Sequence, residues 1–169
     1  MENPPPKATV AASFIKGAAR NYASRKTKEE RTHKGVVYDS MDEMRAFMAA
    51  ESIVPQEWLH TGETFLLLPK KVIHTRGERK LVRQMTWACD LMVGPARLHN
   101  ESPIGPQHLV IDIKGSIKMV TEQFKVRLKI FEWRYEQSAT LCEISTKAKM
   151  AAFQDLLRRH VQYLQFLYP

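Results

Sequence analysis

Residues 108–115, HLVIDIKG, decide how this chain folds. Leu109, Val110, Ile111 and Ile113 make a short apolar run, closed by Gly115 and preceded by a loop rich in Gly94, Pro95, Pro103, Gly105 and Pro106. Such a run, bounded by turn formers, has the pattern of a central strand buried on both faces. Side chains two apart on a strand share a face, so Asp112 and Lys114 project together. Upstream, TFLLLPKKVIH (64–74) and RKLVRQMTWACDLMV (79–93) read as two strands joined by a polar turn at Thr75, Arg76, Gly77 and Glu78.

Helices flank these strands. SMDEMRAFMAAESI (40–53) carries Met44, Phe47 and Met48 on one stripe. Ser40 and Glu43 stand at capping-box spacing, and Pro55 follows the helix. Downstream, Thr121 caps TEQFKVRLKIFEWRYE (121–136), whose Phe124, Leu128, Phe131 and Tyr135 fall on one face. Val126, Ile130 and Trp133 form a second apolar stripe there, so coverage on two sides is expected. ATLCEI (139–144) reads as a further strand. An amphipathic helix begins near Lys147, with Phe153, Leu157, Val161, Leu164 and Tyr168 at helical spacing. Helix, three strands, helix, strand, helix is the order of a mixed α/β domain.

At 169 residues the chain has room for one domain with its own core. Residues 1–34 hold eight basic and three acidic side chains, against 18 and 15 in the remaining 135. A basic, flexible N-terminal arm over 1–34 and a single folded domain over 35–169 are therefore expected. The arm suits a polyanion such as nucleic acid, or serves as a solvated tail that aids solubility. Cys89 and Cys142 form no CxxC pair, which argues against a disulfide scaffold or a zinc module. With no apolar run long enough for a membrane span and no signal-peptide core, the expectation is a cytoplasmic, unsecreted protein without a membrane partner.

The chemistry-bearing positions converge on the central strand. Buried charge at Asp112 and Lys114 needs a metal ion, a substrate phosphate or a neighbouring carboxylate. Asp90, set between Cys89 and Leu91 in the adjacent apolar run, can supply that carboxylate. Two carboxylates with a few waters suit Mg²⁺, with Mn²⁺ as a substitute. The competing explanation for Asp112 and Lys114 is an exposed salt bridge at a strand end; for Glu43 it is the capping box. The hairpin 69–83 carries six basic side chains and one acidic. Lys70, Lys71, Arg76, Arg79 and Lys80 there, with Lys118, Lys125 and Arg127 further on, are candidate DNA contacts. A solvated hairpin, and side chains snorkelling around an apolar stripe, are the alternatives.

Four segments taken together resemble a phage-associated group of PD-(D/E)xK nucleases. THKGVVYDSMDEM (32–44) is similar to that group's opening Gly-x-x-(Phe/Tyr)-Asp-Ser-x-x-Glu segment, and WACDLMV (87–93) to its first metal-aspartate strand. LVIDIKG resembles its Val-x-Asp-Val-Lys-Gly strand, and TEQFKVRLKIF (121–131) the helix that follows. The resemblance spans about 32–136 and leaves the arm and the last helix unmatched. Cys89 stands where many of the wider superfamily have proline, and Leu91 replaces an aromatic.

The resemblance implies a restriction-endonuclease-like core, a central mixed sheet flanked by helices. It makes Asp90, Asp112 and Glu43 the metal-associated acids and Lys114 the catalytic lysine. The expected activity is metal-dependent DNA hydrolysis, structure-specific on branched DNA in the manner of a Holliday-junction resolvase, in phage or mobile-element recombination. The alternatives are a nicking or restriction-like endonuclease, or a non-catalytic DNA-binding protein on the same fold. Paired incision of a junction needs two active sites, so a homodimer is expected, with the last helix as one candidate interface.

Overall fold

A computed structural model describes residues 27–169. The first 26 residues of the expected arm lie outside the described residues. Contacts divide the chain into two units, 1–41 and 42–169.

The described part of the first unit contains a small hairpin. A 3₁₀ turn, Glu29–Arg31, leads into β1 (Thr32–His33), which pairs antiparallel with β2 (Val36–Val37). Lys34 and Gly35 make the connection with φ of 49° and 81°, the left-handed pair that a two-residue hairpin demands. The Tyr38 amide closes the hairpin onto Arg31 O at 3.0 Å, and the Arg31 guanidinium donates to Asp39 O at 2.7 Å. Ordered structure thus starts before Gly35, which lies inside the turn.

The second unit is mixed α/β. Its central sheet has the order β10 (Thr140–Cys142), β9 (Leu109–Ile113), β8 (Leu91–Val93), β3 (Leu59–Thr61). β10 runs parallel to β9, and the other pairs are antiparallel, so the sheet is mixed. Val110, Ile111 and Asp112 of β9 are all buried, as the double-sided apolar run requires.

Alternation sorts the core into two layers. Leu91, Val93, Ile111 and Ile113 pack with Ala46 and Ala50 of α1 (Met41–Glu51) and with Phe153, Leu157, Val161 and Leu164 of α3 (Lys147–Leu167). Met92 and Val110 face the other way, onto Phe65, Leu67, Trp87 and the Phe131 and Tyr135 side chains of α2 (Glu122–Tyr135). Thr121 and Thr146 cap α2 and α3, their hydroxyls accepting from Phe124 N at 3.3 Å and Lys149 N at 3.2 Å. Of the second stripe expected on α2, Ile130 packs partly against this core. Val126 is 52% and Trp133 79% exposed, because the sheet offers that helix one face only.

The two long strands expected over 64–74 and 79–93 are instead a ribbon broken into segments. β4 (Thr64–Leu68) pairs with β7 (Met85–Ala88), and β5 (Lys71–Thr75) with β6 (Glu78–Val82). Pro69, which has no N–H to give a ladder, separates β4 from β5. A bulge between Leu66 and Leu68 lets Phe65, Leu66 and Leu67 all be buried in sequence. At the tip, Arg76 and Gly77 take φ of 53° and 81°, so the turn falls at the expected Thr75 to Glu78. Nearer the sheet, Gly62 (φ 65°) and Glu63 separate β3 from β4, opposite Cys89 and Asp90, which separate β7 from β8.

Candidate active site

That paired break in the ribbon positions Asp90. The register of β8 on β9 sets Leu91 against Ile111, and continuing it brings Asp90 beside Asp112. With the ladder interrupted, Cys89 N donates to Glu63 O at 3.0 Å and Asp90 N to Ile111 O at 3.1 Å. One carboxylate oxygen of Asp90, Oδ2, accepts the Ile113 amide at 2.5 Å. Asp112 shares its face with Val110, on the α2 side of the sheet, and the Asp90 charge acts on it from the neighbouring strand end.

Asp112 is 3% exposed. The Lys114 ammonium contacts its Oδ2 as an ion pair. Lys114 and the Trp87 side chain both donate to this carboxylate. Burial pushes the Asp112 carboxyl up from its ordinary 3.8 to about 6; Lys114 opposes the rise and the Asp90 charge adds to it. Two neighbouring carboxylates here share one ammonium, an excess of negative charge that a divalent metal would offset, so Asp90 and Asp112 fit such an ion.

Lys114 follows β9, its amide donating to Cys142 O at 2.8 Å. Its Nζ lies 4.3 Å from the centroid of the Phe124 ring, which the Thr121 cap fixes in the first turn of α2. The backbone beyond Lys114 is held by Glu143, whose carboxylate accepts the Ile117 amide and pairs with the Lys149 ammonium. Those contacts, Lys149 first and the Ile117 amide next, hold the Glu143 carboxyl below its ordinary range. Glu143 gave no signal in the sequence, because its partners lie 26 residues before it and 6 after.

Glu43 lies in the first turn of α1, which packs on the other layer. The helix begins at Met41, so Ser40 and Glu43 occupy the positions that a capping box requires. Glu43 also heads the stripe that continues through buried Ala46 and Ala50, three and seven residues on. The first turn of α1 lies against the end of β9: a Cβ placed on Gly115 would be 4.0 Å from Asp42 Oδ2. Among the described residues, no group of three or more His, Cys, Asp and Glu side chains is arranged to hold a metal. Glu43 therefore does not complete a three-acid cluster with Asp90 and Asp112 in this conformation.

The expected DNA contacts divide into three sets. Lys70, Lys71, Arg76, Arg79 and Lys80 are exposed on the β5–β6 ribbon. Lys118 is exposed on the 3₁₀ turn Ile117–Met119, close in sequence to Lys114. Lys125 and Arg127 are exposed on α2, with Lys125 paired to Glu122 at 2.7 Å. Cys89 and Cys142 are free and buried, and burial raises both thiols, Cys142 to about 11. No helix among the described residues is long and apolar enough to cross a membrane. The candidate dimer stripe of α3 is largely spent on the core, since Phe153, Leu157, Val161 and Leu164 are buried; Phe166, at 83% exposure, and Tyr168 are not. No family model, no curated protein and no solved structure matches this chain.

Proposed function

We propose that the chain is a metal-dependent DNA endonuclease whose catalytic group is Asp90, Asp112 and Lys114, assisted by Glu43. The observation that supports this is the buried Asp112 carboxylate, pushed up by burial, beside both the Lys114 ammonium and the Asp90 carboxylate. A purely structural salt bridge at a strand end would be solvated, whereas Asp112 is buried beside a second carboxylate. A bound Mg²⁺ or Mn²⁺, held by Asp90 and Asp112, would neutralise phosphate charge and acidify a water. Lys114, 28% exposed at its side chain, is placed between that pair and solvent, where it would stabilise charge developing on the attacked phosphate. Glu43 would accept a hydrogen bond from water entering at the end of β9.

Branched DNA is the favoured substrate. Basic side chains on a ribbon and a helix, with no separate base-reading module among the described residues, suit recognition of shape over sequence. A symmetric pair of cuts in a four-way junction calls for a twofold dimer. The test is cleavage of four-way, flap, duplex and single-stranded DNA in Mg²⁺, Mn²⁺ or EDTA, with light scattering alongside. Metal-dependent paired nicks in the junction, lost in Lys114→Ala, are expected. Cleavage that survives EDTA or Lys114→Ala would sink the assignment, and a monomer with and without junction would leave a nicking enzyme.

A further inference from the structure

The β5–β6 ribbon has two unlike faces. Cross-strand register puts Lys71 and Ile73 with Lys80 and Val82 on one, where Ile73 and Val82 are half-buried. The other carries Val72 directly opposite Leu81, 37% and 52% exposed, with His74 opposite Arg79 one step nearer the tip. An apolar cross-strand pair in water is normally turned to a core. Here it is turned outward, with the Arg79 cation one step nearer the tip.

We infer that this face is a wedge: Val72 and Leu81 enter DNA where base stacking is already broken, while the ribbon's cations hold the flanking phosphates. The inference rests on DNA being the partner, and charge complementarity selects it: the 69–83 segment carries six basic side chains and one acidic. Apolar side chains inserted between base steps obtain burial at the cost of unstacking, and that cost is least at a bulge, mismatch or branch. A ribbon is narrow enough to reach between strands. The wedge therefore favours branched or bulged duplex over regular duplex, a preference independent of the carboxylates that would do the cutting.

The test uses the full chain in EDTA, so that no turnover intervenes. Val72→Thr with Leu81→Thr places β-branched, strand-favouring side chains at both positions but removes most of the apolar surface; Val72→Ile with Leu81→Ile keeps it. Anisotropy is read on a regular duplex and on one with a single-base bulge carrying 2-aminopurine beside the bulge. The wild type is expected to prefer the bulged duplex and to raise the 2-aminopurine signal. The Thr variant should lose roughly tenfold of that preference with duplex affinity and salt slope unchanged, and the Ile variant should keep it. Unchanged preference in the Thr variant, or no preference in the wild type, overturns the proposal. So does a dimer by light scattering that becomes monomeric in the Thr variant, which would assign the pair to self-association. A chain that shows the wedge signature yet cuts no DNA in Mg²⁺ refutes the nuclease and leaves the wedge standing.

Discussion

Asp90 Oδ2 and the Ile113 amide are joined across two strands at 2.5 Å, so one oxygen of a candidate metal ligand is already committed to the backbone of the neighbouring strand. The bond fixes the orientation of the carboxylate. Asp90→Asn can still offer an amide oxygen to Ile113, whereas Asp90→Ala leaves that N–H unpaired. Both are expected to abolish cleavage, but only the alanine variant should lose stability, by about 1–3 kcal/mol. Denaturant melts separate them; equal stabilities would mean that the hydrogen bond contributes nothing.

Asp112 sets a pH dependence of the opposite sense to the usual carboxylate. Its folded proton affinity exceeds the unfolded one, so its contribution to stability is complete below 3.8 and is lost as pH rises through about 6. The shift corresponds to at most about 3 kcal/mol at pH 8. In EDTA, Asp112→Asn should melt above the wild type at pH 8, with the two converging toward pH 4. Added Mg²⁺ should raise the wild-type melting temperature and leave the variant unchanged. Parallel curves across this range, or equal Mg²⁺ effects, would show that Asp112 is neither strained nor a ligand.

Glu43→Gln separates capping from catalysis. Glutamine serves in a capping box and fits the same stripe, so the melting temperature should hardly move. A loss of at least about tenfold in cleavage rate is expected from removing the charge. A fully active Glu43→Gln enzyme would assign the residue to the helix terminus.

Residues 1–26 carry five basic side chains and one acidic. Removing them spares the hairpin of β1 and β2, which deletion through residue 34 would cut. If the segment binds phosphate, the slope of log affinity against log salt should become shallower by up to about 4. An unchanged slope would assign the segment to solubility.

What the sequence made legible was what local rules govern. The double-sided run at 109–113, the cap Thr121, and the Arg76–Gly77 turn depend on neighbours a few residues away, and each forms where expected. The breaks in the ribbon, the strand Leu59–Thr61 and the hairpin at 32–37 depend on pairings that periodicity does not encode. The same division holds at the site. Asp112 and Lys114 share a face by alternation alone, and the Asp90 register follows once the strands pair. Which layer Glu43 approaches from, and the hold of Glu143 on the loop after Lys114, require the packed helices.

The facing interruptions at Gly62–Glu63 and Cys89–Asp90 make the ribbon modular in length. Everything distal to them, from Thr64 through Ala88, is joined to the central sheet across a level where ordinary ladder pairing stops. A matched insertion of one residue pair into β5 and β6 would extend the tip by about 3.4 Å without altering which residue faces Asp112. The reach of the ribbon can therefore be lengthened or trimmed by indels, while the spacing of Asp90, Asp112 and Lys114 is inherited unchanged.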